Sequence, residues 1–146
     1  VSRTAVQEFS RALRQNGVVR SIAILRRDGD RPALAVSTFR GSRILTRVLL
    51  FAGPEIELLS CAVRCARGPE FIGSQVAGGV SHGDLRLWIL TRSDGVRPPA
   101  VLLARSTPGG GRVGRPIAIC GAELDALEAA IAEFQRIAAP RRLAFA

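Results

Sequence analysis

Asp28-Gly29-Asp30-Arg31-Pro32 returns further along the chain as Asp94-Gly95-Val96-Arg97-Pro98, and its surroundings return with it. Ile22-Ala23-Ile24-Leu25-Arg26 precedes the first copy, and Trp88-Ile89-Leu90-Thr91-Arg92 precedes the second. Ala33-Leu34-Ala35-Val36-Ser37 follows the first, and Pro99-Ala100-Val101-Leu102-Leu103 follows the second. Asp-Gly between apolar runs is a hairpin signal. The match resumes at Arg47-Val48-Leu49-Leu50-Phe51-Ala52-Gly53-Pro54-Glu55-Ile56-Glu57 against Arg115-Pro116-Ile117-Ala118-Ile119-Cys120-Gly121-Ala122-Glu123-Leu124-Asp125. The extra length of the second copy falls in the loop Pro108-Gly109-Gly110-Gly111. A shared turn followed, in the same order, by a shared strand-to-helix junction marks an internal duplication.

Each copy reads as strands closed by a helix. A third strand spans Arg43 to Phe51, or Arg112 to Cys120, and a helix begins after Gly53 or Gly121. The first turns are acidic (Glu55 and Glu57; Glu123 and Asp125), as the helix dipole favours, and Pro54 suits a first helical position. Leu124, Leu127, Ile131 and Phe134 form one apolar stripe at helical spacing. Arg64, Arg67 and Gly68 end the first helix; Arg136 and Pro140 end the second. Glu70 to Gln75 reads as a short opening strand. Its counterpart, Glu8 to Leu13, reads as strand by the repeat and as helix by propensity. The expected fold is α+β. It is a tandem pseudo-repeat of β-β-β-β-α units, with antiparallel sheets and helices packed on one face. It forms one module over 1–146, with repeats at 1–68 and 69–139 and a tail at 140–146.

All 21 basic residues are arginine, set against 12 acids, for a net charge of +9. GC-biased coding accounts for arginine over lysine but not for the surplus over acids. The surplus lies on the strands. Residues 18–50 hold seven Arg and two Asp, and residues 84–119 hold six Arg and two Asp. The helical segment 54–67 is neutral, and 121–138 carries four acids and one Arg. A positive sheet surface of this kind suits a polyanion, most often nucleic acid.

Alternation places Leu85, Leu87 and Ile89 on one face and Arg86, Trp88, Leu90 and Arg92 on the other. Arginines beside the only tryptophan suit single-stranded nucleic acid, with guanidinium groups on phosphates and the ring on a base. Trp88 also reads as a core or subunit-interface residue, and any single arginine as a solvated charge. The turn match puts Arg20, Ile22, Ile24 and Arg26 in the places of that row, and Phe39 and Arg105 on the next strands. Arg40, Arg43, Arg47, Arg112 and Arg115 carry the candidate nucleic-acid surface to the hairpin rims.

Catalytic chemistry is not legible. The single histidine, His82 in Ser81-His82-Gly83, reads as a loop residue with no acid in a recognisable motif. Gly109 to Gly114 lacks the Lys-Ser/Thr of a phosphate-binding loop and reads as a hairpin. Cys61, Cys65 and Cys120 read as small apolar residues, the first two on one helix face. No enzyme, metal or cofactor is expected. There is no apolar run near 18 residues, and no membrane partner is expected. No signal peptide is visible.

The unit resembles the Whirly/PUR superfamily of single-stranded nucleic-acid-binding proteins. That group comprises PUR proteins, plant Whirly proteins, positive-cofactor-type coactivators and mitochondrial guide-RNA-binding proteins. Ala100 to Ala104, Pro108 to Gly111, Arg115 to Ile119 and the helix Ala122 to Ile137 carry the resemblance, and Glu70-Phe71-Ile72-Gly73 resembles the coactivator's opening strand. The resemblance implies nucleic acid on the exposed sheet face, and units that pair and oligomerise. The chain departs from it in lacking the lysine-bearing motif of plant Whirly proteins and in its few aromatics. The expected function is non-catalytic binding of single-stranded RNA, before DNA, within a ribonucleoprotein. The alternative is an adaptor subunit of a large organellar assembly such as a mitochondrial ribosome. A mitochondrial home follows from the family analogy and the lysine-free basic composition.

Overall fold

Asn16 and Gly17 take positive φ angles of 51° and 75°. That is the mirror-image turn that suits the twist of a tight hairpin. They join strands β1 (Val6–Gln15) and β2 (Val18–Arg26), with Gln15 opposite Val18. The first strand is therefore strand along its whole length, and helical propensity over Glu8 to Leu13 gives way to the turn. Gly41, at φ 62°, starts an equally tight turn between β3 (Ala33–Arg40) and β4 (Arg43–Phe51). Helix α1 (Pro54–Arg67) follows, then β5 (Gly73–His82), β6 (Leu85–Ser93), β7 (Ala100–Ser106), β8 (Arg112–Cys120) and α2 (Ala122–Ala138). The computed structural model describes residues 6–26, 32–51, 54–68, 73–82 and 84–138. The first Asp-Gly turn, the opening residues Glu70 to Ile72 and the tail 140–146 lie outside the described residues.

The architecture is α+β, with two antiparallel sheets in the orders β1-β2-β3-β4 and β5-β6-β7-β8 and two helices. Ile22, Ile24, Leu34, Val36, Val48 and Leu50 on the first sheet are at most 2% exposed, as are Leu87, Ile89, Val101, Leu103, Ile117 and Ile119 on the second. The helices complete one continuous core through Ile56, Leu59, Ala62, Val63 and Ala66 of α1 and Leu124, Leu127, Ala130, Ile131 and Phe134 of α2. Each large apolar side chain buried in this way contributes about 1.5–3 kcal/mol relative to exposure.

The helices cross over. α1 packs chiefly on β5, β6 and β7, and α2 on β1 and β2, with further contact to β8 of its own half and to β3. Each helix thus covers mainly the sheet of the opposite half. Arg67 of α1 pairs with Asp125 and, at 3.4 Å, with Glu128 of α2. Both pairs are exposed, so they guide the helix–helix contact more than they strengthen it. No helix among the described residues is long and apolar enough to cross a membrane.

Three expectations are corrected. His82 is not a loop residue; it ends β5 opposite Leu85. The opening strand of the second half extends well beyond Gln75, to His82. The sequence match also misaligns the flanking strands by one residue, setting Ala33 against Pro99 and Leu50 against Ala118 as well as Ile24 against Leu90. Ile24 pairs with Leu34, which pairs with Leu50; Thr91 pairs with Val101, which pairs with Ile119. Ile24 therefore corresponds to Thr91 and Ile22 to Ile89, not to Leu90 and Trp88. The cause is the place of the motif between its strands: Arg27 separates β2 from Asp28, whereas Asp94 follows β6 directly and Pro99 makes up the length on the far side. A slip of one residue exchanges the two faces of a strand.

The second turn is held by Asp94. Its carboxylate accepts hydrogen bonds from the Arg97 amide at 2.8 Å, the Arg97 Nε at 2.9 Å and the Val96 amide at 3.0 Å. Gly95, at φ 76°, allows the bend. The glycine-rich loop is a hairpin as expected. Thr107 donates its amide to Gly111 O at 2.8 Å and accepts the Gly111 amide on Oγ1 at 3.0 Å.

Candidate nucleic-acid interface

The face of β6 turned away from the helices carries Arg86, Trp88, Leu90 and Arg92. Its other face holds Leu87 and Ile89 at 0% exposure, and Thr91, whose hydroxyl donates to Ala62 O of α1 at 3.2 Å. Trp88 is half-buried and lies outside the core cluster. Its neighbours across the two adjoining strands are Gly79 and Ala104. Neither directly paired position therefore carries a large side chain. Its Nε1 donates to Ser106 Oγ at 3.0 Å, fixing the ring on the sheet. The guanidinium carbon of Arg86 lies 5.0 Å from the ring centroid, within cation–π range.

Ser106 pairs with Arg86 on β6 and with Arg112 on β8. Directly paired residues share a face, so Arg86, Ser106 and Arg112 form a row across three strands. Adjacent strands lie about 4.8 Å apart, so the backbones of the two exposed arginines stand about 10 Å from one another. The register thus sets the indole among small residues, the Trp88 trough, with Arg86 over the ring and Arg112 two strands away. Sequence reasoning found Arg86, Trp88 and Arg112 but missed Ser106, Gly79 and Ala104. Counting the hairpin register outward from Trp88 would have found Ala104 and Ser106.

Other candidates lie elsewhere. Arg92 shares the face of Trp88, but its Nη2 donates to Pro98 O at 3.2 Å, drawing it into the turn. Phe39 and Arg47 are on the outer face of the first sheet, where Arg47 Nε donates to Ser37 Oγ at 3.2 Å. Arg40 and Arg43 are exposed opposite one another at the tight turn, and Arg115 is exposed on β8 beside Gly114.

The expectation that the strand arginines crowd the outward face is corrected for Arg20, Arg26 and Arg105. Arg20 and Arg26 share the side of β2 that Ile22 and Ile24 bury. Arg105 pairs with the buried Leu87. Arg20 donates to Ala118 O at 3.0 Å and pairs with Glu123 at 3.7 Å, its side chain only 15% exposed. Burial raises the Glu123 carboxyl above its usual range, opposed by the Arg20 charge and a backbone hydrogen bond at Cys120. Arg20 therefore ties β2 to β8 and to the start of α2.

The three cysteines are free and half-buried. No cluster of three or more His, Cys, Asp or Glu side chains that could hold a metal is found among the described residues. Comparison with known proteins finds no matching family model and no curated protein of significant similarity.

Proposed function

We propose that the protein binds single-stranded nucleic acid, RNA before DNA, without catalysing a reaction, as a component of a ribonucleoprotein. The observation that carries this reading is the cluster of Trp88, Arg86 and Arg112 on a helix-free sheet face. A base displaces the Arg86 guanidinium from the indole and stacks there between Gly79 and Ala104, and Arg86 and Arg112 meet phosphates. Such stacking contributes about 1–3 kcal/mol per base.

The fold is read as a tandem pseudo-repeat of β-β-β-β-α units of the Whirly/PUR kind. Matched core positions support this. Ile22, Leu34, Val36, Val48 and Leu50 correspond to Ile89, Val101, Leu103, Ile117 and Ile119. The two helices bury their stripes in the same spacing.

The test is fluorescence anisotropy with labelled oligo-uridine and oligo-thymidine over a range of salt. Affinity for both falls with salt at a log–log slope of about −0.7 for each phosphate contacted, and oligo-uridine binds more tightly. Absence of binding at low salt overturns the reading.

A further inference from the structure

We infer that the outer edge of β4 over Arg43 to Arg47 is a docking strand for an acidic, extended segment of a partner protein. β4 is the outermost strand of its sheet. Its first half, Arg43-Ile44-Leu45-Thr46-Arg47, carries two of the three exposed large apolar side chains among the described residues. Ile44 is 49% and Leu45 41% exposed. The pairing steps from Thr38–Thr46 to Phe39–Ile44, so Leu45 is the extra residue of a bulge. Bulges re-aim side chains, and this one turns Leu45 out of the ladder.

Edge strands are commonly protected by charges and bulges, and this strand has both. Protection alone does not account for two adjacent large apolar side chains left in water. Arg40, Arg43 and Arg47 surround them, and none has a carboxylate partner among the described residues. A second copy does not fit. Antiparallel self-pairing about Leu45 would set Arg43 against Arg47 of the other copy, and like charges directly opposite destabilise a sheet. Phosphates would satisfy the arginines but leave Ile44 and Leu45 exposed. A strand alternating acidic and apolar residues meets all three demands: main-chain pairing, apolar contact and charge. The inference is independent of the nucleic-acid reading, which rests on the second sheet.

The experiment uses the full chain and a fluorescein-labelled decapeptide of alternating Glu and Val. The peptide binds, and amide hydrogen exchange slows over residues 43–47. Replacing its valines with serine, or using the I44S/L45S variant, weakens binding about tenfold. Both variant positions are exposed, and an unchanged circular dichroism spectrum shows that the fold is kept. Oligonucleotide affinity of I44S/L45S stays within about twofold of the parent, since neither residue lies in the Trp88 trough. Equal binding of the Glu/Ser peptide, or full binding by I44S/L45S, overturns the inference. Equal loss of oligonucleotide and peptide binding in I44S/L45S also overturns it and assigns the edge to nucleic acid.

Discussion

Thr91 of β6 donates its hydroxyl to the carbonyl oxygen of Ala62 in α1 at 3.2 Å, tying the helix of the first half to the sheet of the second. Both residues are buried. Thr91→Val keeps the shape and removes the donor. It should lower unfolding free energy by about 0.5–1.5 kcal/mol, read as a lower urea midpoint at constant slope.

Trp88 is the only tryptophan, so its fluorescence reports on the trough alone. Binding of oligo-uridine should quench it, and Trp88→Ala should weaken binding by about 1–3 kcal/mol. Unchanged emission at saturating oligonucleotide would remove the ring from the interface.

Arg20 and Arg86 separate structure from binding. Arg20→Ala breaks a half-buried tie to Ala118 and Glu123. It should cost about 1.5–3 kcal/mol of stability and leave the salt slope of oligonucleotide binding unchanged. Arg86→Ala should reduce that slope by about 0.7.

Two carboxylates give opposite acid responses. Backbone and side-chain hydrogen bonds from Arg97, with the Val96 amide, hold Asp94 well below the usual carboxylate range. Its contribution to stability is complete above the ordinary aspartate value and is lost as pH falls through its depressed one. Carboxyl NMR should show Asp94 still ionised at about pH 3, below the ordinary aspartate value. Glu123 is raised, chiefly by burial. Its contribution is complete below the ordinary glutamate value and declines as pH rises through the raised one, and Glu123→Gln should abolish that decline.

The strand and helix spans were largely legible because their signals are local. Helical spacing from Leu124 to Phe134 and alternation through Leu87 and Ile89 mark the core faces directly. Asn16-Gly17 is as strong a hairpin signal as Asp-Gly, and reading it would have settled the first strand. The sheet faces of the first half were misread because the alignment was anchored on a turn, and turns tolerate shifts that strands do not. That error placed Arg20 outward when it faces inward. The crossing of the helices had no local signal at all, since an apolar stripe such as Ile56, Leu59 and Val63 does not state which sheet it will cover.

The crossing also dictates an order of events during synthesis. Ile22, Ile24 and Leu34 leave the ribosome early, but the helix that shelters them, centred on Leu127 and Ile131, is the last described element to follow. For most of translation the nascent chain must hold an uncovered, strongly apolar sheet. Chains stalled before α2 should therefore depend on chaperones and aggregate when these are scarce.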